Sequence, residues 1–456
     1  MASWTAVMAS SVVAEDRFDG EFFSPAYQQL DEELSRISRV DTLGRITHSL
    51  RKGIFDISPN RYRDNGIPLV RTQQIKSPLL SRDSMVYIEV DDHEKHFSKT
   101  ELIAGDLVFT KIGAGIGDVA VLPSDFDRYN FSQNVAGASV NQGKVDGHYL
   151  LAYLATKWGR QQLLRYMMPS GQGKLELRDI KKLRIARFES DEVGIAELVV
   201  KSEKALRESR TNQIEAQHLL EAELGLDKLL IQKPVGYTVN FSDLESSRRS
   251  DAEFFHVGYE SFLAAAKNFR LGWQPLRNVT KQTTPNFDGR KEIVDVSYIE
   301  IGDVSVSNGS YQTSMVAPKD LPANAKIQLS GGEILISLVR PTRGAIAIVD
   351  DELTHTTVCS GAFFVCTAKE VSRREIIWLY LRCMKSVFEK YCGGTSYPTI
   401  DSRYIARFPV PLFDDALARR VQELVVQSKN ALSESVHLLD QAKARVEKLI
   451  EEAVKP

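Results

Sequence analysis

The chain repeats itself once along its length, and no other feature constrains its fold as strongly. RFDGEFFSPAY at residues 17–27 returns as RSDAEFFHVGY at 249–259, and GDLVFTKIGAGIGDVAVL at 105–122 as GEILISLVRPTRGAIAIV at 332–349. SQNVAGA at 132–138 lies opposite TTVCSGA at 356–362, and the segment around Tyr153 and Leu154 matches that around Tyr380 and Leu381. ELVVKSEKALRES at 197–209 matches ELVVQSKNALSES at 423–435 in nine of 13 positions. Five matches in one order, with offsets running from 232 down to 224–227, define a tandem duplication. A unit of that length far exceeds a solenoid repeat, so each copy must hold a whole domain.

Each copy has two halves of different character. The first is rich in strands. GDLVFTKIGAGIGDVAVL predicts two strands joined by a glycine turn, and ILISLVRPTRGAIAIV a hairpin with Pro341 and Gly344 at its turn. A helix is expected after each, over 148–167 and 374–392, from apolar residues three and four apart. Small-residue loops follow, PSGQGK at 169–174 and GGTSYP at 393–398, then the apolar strands LRIARF at 183–188 and IARFPVPLF at 405–413. The second half is a long helix. Residues 191–230 hold two glycines, Gly194 and Gly225, and no proline, and 414–454 hold neither. Val199, Ala205, Leu206 and Ile214, and Val421, Leu424, Val425, Leu432, Val436 and Leu439, fall near helical spacing. Forty helical residues span about 60 Å, too far to bury an apolar stripe on one small domain. Each helix therefore finds its partner in the other, as an antiparallel pair. The expected class is α+β: an N-terminal arm (1–36), a β-rich α/β domain (37–190), a helix (191–232), a second such domain (233–412) and a second helix (413–456).

The net charge is -2, from 58 basic and 60 acidic residues. That total conceals a separation. Residues 41–190 carry 22 basic against 17 acidic side chains, and 233–412 carry 21 against 19. The N-terminal 40 residues carry three against seven, 191–232 five against nine, and 413–456 seven against eight. Basic globular parts beside acidic helices are compatible with DNA binding. No apolar run approaches the roughly 18 residues of a membrane span. The N-terminus has no Lys or Arg before its mildly apolar stretch, unlike a secretory signal. Cys359, Cys366, Cys383 and Cys392 match no CxxC spacing and read as reduced thiols of a cytoplasmic protein.

Motifs for chemistry within the chain itself are missing. An adenine methyltransferase clamps its flipped base with an [ND]PP[YFW] tract, and neither NPP nor DPP occurs. GAGIGD at 113–118 lacks the last glycine of GxGxxG and reads as a hairpin turn. SGQGK at 170–174 lacks the first glycine and the Ser or Thr of a phosphate loop, and reads as a helix C-terminal turn. Asp106 lies near Lys111 without the preceding acid of a nuclease. His93 and His96, in DDHEKH, read as a solvated loop.

The duplicated order of these motifs resembles the specificity subunits of type I restriction-modification systems. The resemblance is carried by RFDGEFFSPAY and RSDAEFF, GIPLVRTQQI at 66–75, GDLVFTKIGAGIGDVAVL, the YL helix and PSGQGK. In the second copy it rests on VDVSYIEIGDV at 294–304, GEILISLVRPTRGAIAIV, GGTSYPTI and ARFPVPLF. It covers the chain from about residue 14 to 454. It implies two target-recognition domains, each reading half of a split site on double-stranded DNA. The paired helices would be a spacer and a docking surface for DNA adenine methyltransferase subunits, with a helicase-nuclease restriction subunit as a further partner. No cofactor is implied in this chain. Its partners would bind S-adenosylmethionine, and ATP and magnesium where a restriction subunit is present. The GIP element has a poor counterpart in the second copy, VSYIEIGDV, which lacks Pro, so the two readers would differ and the target would be asymmetric and bipartite. Two other readings are a specificity subunit of another methylation-based phage-defence system, and a scaffold that binds protein rather than DNA.

Base readout needs Arg, Lys, Asn or Gln at groove edges, with other cations on phosphates. The candidates in the first domain are Arg51, Lys52, Arg61, Arg63, Arg71, Gln73, Gln74, Lys111 and Lys174. In the second they are Lys281, Gln282, Asn286, Arg290, Lys291, Arg340, Arg343, Ser396 and Tyr397. Phe22, Phe23, Phe254 and Phe255 are expected to pack where each copy begins, against the base of a long helix.

Overall fold

The computed structural model describes residues 6–76, 79–82, 84–167, 173–230, 234–289, 292–394 and 397–455. They form two compact units, one joining 1–207 to 431–456, the other 208–430.

In the first unit, β1 (Val40–Thr42) leads to β2 (Thr47–Lys52), β3 (Ile67–Val70) and β4 (Val86–Ile88). The hairpin β5 (Leu107–Thr110) and β6 (Val119–Val121) follows, then β7 (Asn130–Phe131) and β8 (Val135–Val140). The main sheet runs β2-β8-β5-β6, antiparallel throughout. A smaller sheet runs β4-β3-β7, with β3 antiparallel to β4 and parallel to β7. Every residue of β5 and β6 is buried, because both faces of the main sheet are covered. Leu107, Phe109, Val119 and Val121 join the core built with the helices, while Val108 and Ala120 meet Val70 and Phe131. That two-sided burial is why these strands read as continuous apolar runs rather than alternating ones. Helices α1 (Gly147–Ala155) and α2 (Lys157–Tyr166) come next. Strand β9 (Arg184–Ala186) pairs antiparallel with β1, and α3 (Glu189–Leu224) follows.

The second unit repeats the plan with β10 (Trp273–Pro275), β11 (Thr280–Thr283), β12 (Val296–Ile299), β13 (Ser314–Val316) and β14 (Ala325–Gln328). Next come the hairpin β15 (Ile334–Ser337) and β16 (Ile346–Ile348), then β17 (Thr357–Ser360), β18 (Phe363–Ala368), helix α4 (Arg374–Cys383) and β19 (Pro409–Pro411). Its main sheet is β11-β18-β15-β16. The smaller sheet, β13-β12-β17-β14, has the same antiparallel-then-parallel start and one further strand. Strand β19 returns to β10 and leads into α5 (Asp415–Val454).

The repetition reaches single hydrogen bonds. Thr47 Oγ1 donates to the Leu43 carbonyl and Thr280 Oγ1 to that of Leu276, at 2.9 and 2.8 Å. Tyr153 donates to the Arg184 carbonyl and Tyr380 to that of Pro409, pinning helix to exit strand at 2.8 and 2.6 Å.

The two long helices pair antiparallel within each unit, as the sequence led one to expect. In the first unit the Ser202 hydroxyl donates to the Ser435 carbonyl at 2.7 Å, and Arg445 pairs with Asp191 at 2.8 Å. In the second, Ser428 donates to the Ser209 carbonyl, and Arg420 pairs with Glu215, both at 2.8 Å. Ile195 and Val199 pack in one core with Ala442, Val446 and Ile450; Ala216, Leu220 and Leu224 pack in another with Val421, Leu424 and Val425. Spacings of three and four place Ser202, Ser209, Ser428 and Ser435 in that seam, all buried.

Several expectations are corrected. The single helix over 148–167 is two, because Thr156 caps α2 by accepting from the Gly159 N–H. The chain turns back so tightly that a Cβ at Gly159 would lie 2.4 Å from the Leu154 Cα. The helix expected over 374–392 is α-helical only to Cys383 and continues as 3-10 turns, Lys385–Tyr391. Helix α3 stops at Leu224, where Gly225 takes φ +65°. Ile214 and Val436 are exposed, since the buried serines occupy the stripe instead. Among the described residues no helix is long and apolar enough to cross a membrane.

The aromatic motifs are packed, with Phe22 and Phe23 in the same buried core as Ile195, Val199, Ala442 and Val446 of the long helices. Arg17 pairs with Asp19 and stacks over Phe22, which leans on Tyr166 of α2. Arg249 pairs with Asp251 and stacks over Phe254, which contacts Tyr391 and Tyr404. In both copies the Asp accepts from the backbone of the first Phe, at 3.2 and 3.0 Å.

Candidate nucleic-acid interface

Candidate side chains gather where three chain segments converge in each unit. In the first these are the end of β2, the β5–β6 turn and the loop after α2. The Leu175 N–H donates to the Lys111 carbonyl at 3.0 Å, stitching that loop to the hairpin. Lys52 is exposed at the end of β2, Lys174 pairs with Glu176 at 2.6 Å, and both charges act on Lys111. Lys111 is buried and donates to the Gln133 carbonyl at 3.2 Å. Burial pulls its ammonium pKa down, and the field of Lys52 adds to this. Lys174 holds the Glu176 carboxyl below its ordinary range.

The same convergence in the second unit is built differently. The Arg340 N–H donates to the Pro398 carbonyl at 2.7 Å, and Ile400 to that of Leu338 at 2.9 Å. Arg340 has a left-handed backbone, φ +48°, and lays its guanidinium 4.3 Å over the exposed Tyr397 ring. Arg343 is exposed one residue before Gly344. Arg382 and Lys385, not anticipated from the sequence, brace this turn. Arg382 donates to the Gly344 carbonyl at 3.2 Å and stacks on Trp378. Lys385 lies beside Gly344, with its pKa drawn down by burial. Their signal was the spacing RCMK on a helix that faces the hairpin, legible only once that packing is known.

The other candidates lie apart from these clusters. Arg61 pairs with Asp92 at 2.7 Å, and Arg63 with Glu89 at 2.5 Å, so the acidic segment occupies both. Arg71 stacks over Tyr62, and Gln73 is exposed. Arg51 donates to the Lys99 carbonyl at 2.6 Å. Lys281 and Gln282 are exposed on β11, an edge strand. Asn286 accepts from the Gln328 N–H at 2.8 Å. Arg290, Lys291 and Ser396 lie outside the described residues, as do 169–172 of PSGQGK.

Gln74 and Lys111 are corrected as base readers, because neither reaches the surface. The fully buried Gln74 accepts the Arg71 N–H at 3.2 Å, closing the turn after β3. Asp303 does the same for Glu300 at 2.8 Å after β12. This equivalence pairs GIPLVRTQQI with VDVSYIEIGDV despite the missing proline.

The acidic groups are structural. Asp106 accepts from Ile103 and Val140 N–H groups at 2.9 and 2.8 Å, and Glu333 from Ser330 and Gly331 at 2.7 and 2.9 Å. Burial raises the Asp106 pKa. His93 is buried rather than solvated, fixed between Glu101 and Asn130 at 2.8 and 2.9 Å. GAGIG forms a turn closed by Gly117 N–H to the Thr110 carbonyl at 3.0 Å. Among the described residues no three His, Cys, Asp or Glu side chains could hold a metal ion.

No protein-family model matches this chain, and no curated protein matches it. The solved structures it is similar to include three chains from type I restriction-modification systems. A type I restriction-modification S subunit from M. genitalium is 11% identical, covering 92% of this chain and 96% of its own, with a TM-score of 0.45. The HsdS subunit from Thermoanaerobacter tengcongensis is 13% identical over 90% of this chain and 95% of its own, with a TM-score of 0.28. A chain from a study of complex assembly and conformational transition in a type I R-M system is 13% identical. It covers 91% and 97%, with a TM-score of 0.29.

Proposed function

We propose that this chain is the DNA-specificity subunit of a type I restriction-modification system. In this reading it performs no chemistry itself, works in the cytoplasm, and reads an asymmetric, bipartite target on double-stranded DNA. One observation carries the reading: two units built to a single plan present different side chains at the same place. Lys52 and Lys174 stand at the convergence in one, Arg340, Arg343 and Tyr397 in the other. A duplicated reader with diverged contact groups fits a target whose halves differ. The ordered motifs that resemble such subunits point the same way. DNA adenine methyltransferase subunits would supply S-adenosylmethionine, and a helicase-nuclease would supply ATP and magnesium chemistry.

Two measurements test this. Binding to a selected duplex is expected to weaken steeply with salt, log K falling linearly with log salt concentration. Methylome sequencing with and without the gene is expected to lose one bipartite methylated motif. Salt-insensitive binding without sequence preference, together with an unchanged methylome, would favour the scaffold reading.

A further inference from the structure

The seam between the long helices does not specify its own partner. Helices α3 and α5 align with an offset of 226, and under that alignment most buried seam positions of one have a close equivalent in the other, an exception being Ala418, whose equivalent is the charged Glu192. Ile195 and Val199 correspond to Val421 and Val425, Ser202 and Ser209 to Ser428 and Ser435. Ala216, Leu220 and Leu224 correspond to Ala442, Val446 and Ile450. If two copies of the chain met and α3 paired with α3 in the same antiparallel register, Ser202 would meet Ser209 of the other copy. The apolar layers would be as well filled. Two α5 helices would bury an equally good seam, and apolar complementarity alone cannot choose among the three pairings.

The flanking charges can choose. Arg445 pairs with Asp191 and rests over Gly194, the residue equivalent to Arg420. Arg420 pairs with Glu215. Under the offset of 226, Leu219 stands where α5 has Arg445, and Gly194 where it has Arg420. Pairing α3 with α3 would therefore set Asp191 against Leu219 and Glu215 against Gly194, and neither acid would meet a base. Pairing α5 with α5 would set Arg445 against Leu417 and Arg420 against Gln441, so neither base would meet an acid across the seam, although Arg420 keeps Glu423 of its own helix at 3.6 Å. Both ion pairs form only when α3 meets α5.

We infer that Asp191–Arg445 and Glu215–Arg420 act as a pairing code that selects α3 with α5 and rejects pairing of like helices between two copies of this chain. The buried seam supplies the affinity, and the charges at its edge supply the choice of partner. Two partly exposed pairs suffice, since discrimination needs only a difference between otherwise equal alternatives.

The full-length chain tests this by charge reversal. R420E with R445E sets like charges against Glu215 and Asp191, whereas like-helix pairing would meet only Leu417 and Gln441. The expected result is a mass by light scattering that rises with concentration toward two chains, and an unfolding midpoint lowered by about 2–4 °C. Adding D191R with E215R rebuilds both pairs reversed, and is expected to restore the single-chain mass and the midpoint. A disulfide between S202C and S435C reports the register: its yield is expected to fall in the doubly reversed chain and recover in the quadruple. The code is refuted if R420E with R445E keeps the single-chain mass and the cross-link yield. It is equally refuted if the quadruple variant does not recover.

Discussion

His148 shows how one side chain fastens a domain to a helix. It starts α1 and lies between Asp146 at 2.7 Å and Glu203 of α3 at 3.5 Å. Burial opposes its charge, but the hydrogen bonds to the two carboxylates outweigh it and lift the pKa to about 9. The folded value lies above the ordinary 6.5, so the contribution to stability is complete below pH 6.5. It is lost as pH rises through about 9. The titration of His148 by NMR is expected to centre near 9, and a midpoint near 6.5 would refute the arrangement. The second copy has Glu375 and Lys429 where the first has His148 and Glu203, and Glu375 acts on Lys429 as an opposite charge. The polarity is reversed while the place is kept.

At the scale of elements, buried serines and tight corners decide what apolar patterning leaves open. The Ser202 and Ser435 hydroxyls lie 2.9 Å apart, and Ser209 and Ser428 3.1 Å apart. Replacing Ser202 with Leu overfills a layer sized for two hydroxyls. It is expected to cost about 1–3 kcal/mol, read as a lower urea midpoint at unchanged slope. The α1–α2 corner is as intolerant. Gly159→Ala is expected to destabilise the first unit by a similar amount, about 1–3 kcal/mol, since its methyl group meets backbone rather than a flexible side-chain end. Tyr153→Phe removes one hydroxyl bond to β9 and is expected to cost about 1 kcal/mol.

For the whole molecule, the two units differ where their plans agree. Replacing Arg340 and Arg343 together with Ala is expected to weaken recognition of one half of the target and leave the other unchanged. This is measured as affinity for duplexes mutated in either half. Full-length affinity unchanged by the double substitution would remove this turn as a contact. The near-neutral total charge is no obstacle, because the excess of acidic over basic residues lies in the helices and the N-terminal segment.

The duplication, the two hairpins, the exit strands and the antiparallel helices were all legible in the chain, because each depends on local period or on likeness between distant segments. The absence of a base-clamping tract was legible for the same reason. Burial was not, because it depends on neighbours far away in the sequence. Gln74 and Lys111 look like their polar neighbours until the turn after β3 and the loop at 175 close over them. Ser202 and Ser435 look like surface residues until two helices meet on them. Arg61 and Arg63 look free until the acidic segment folds alongside. Local pattern was enough to show that the elements come in two sets, though not that the helix expected over 148–167 is two or that the one over 374–392 ends at Cys383. Packing alone set how each unit draws half of both long helices, and which charged groups remain at the surface. Patterning is encoded by near neighbours, whereas exposure is fixed by whatever packs from elsewhere.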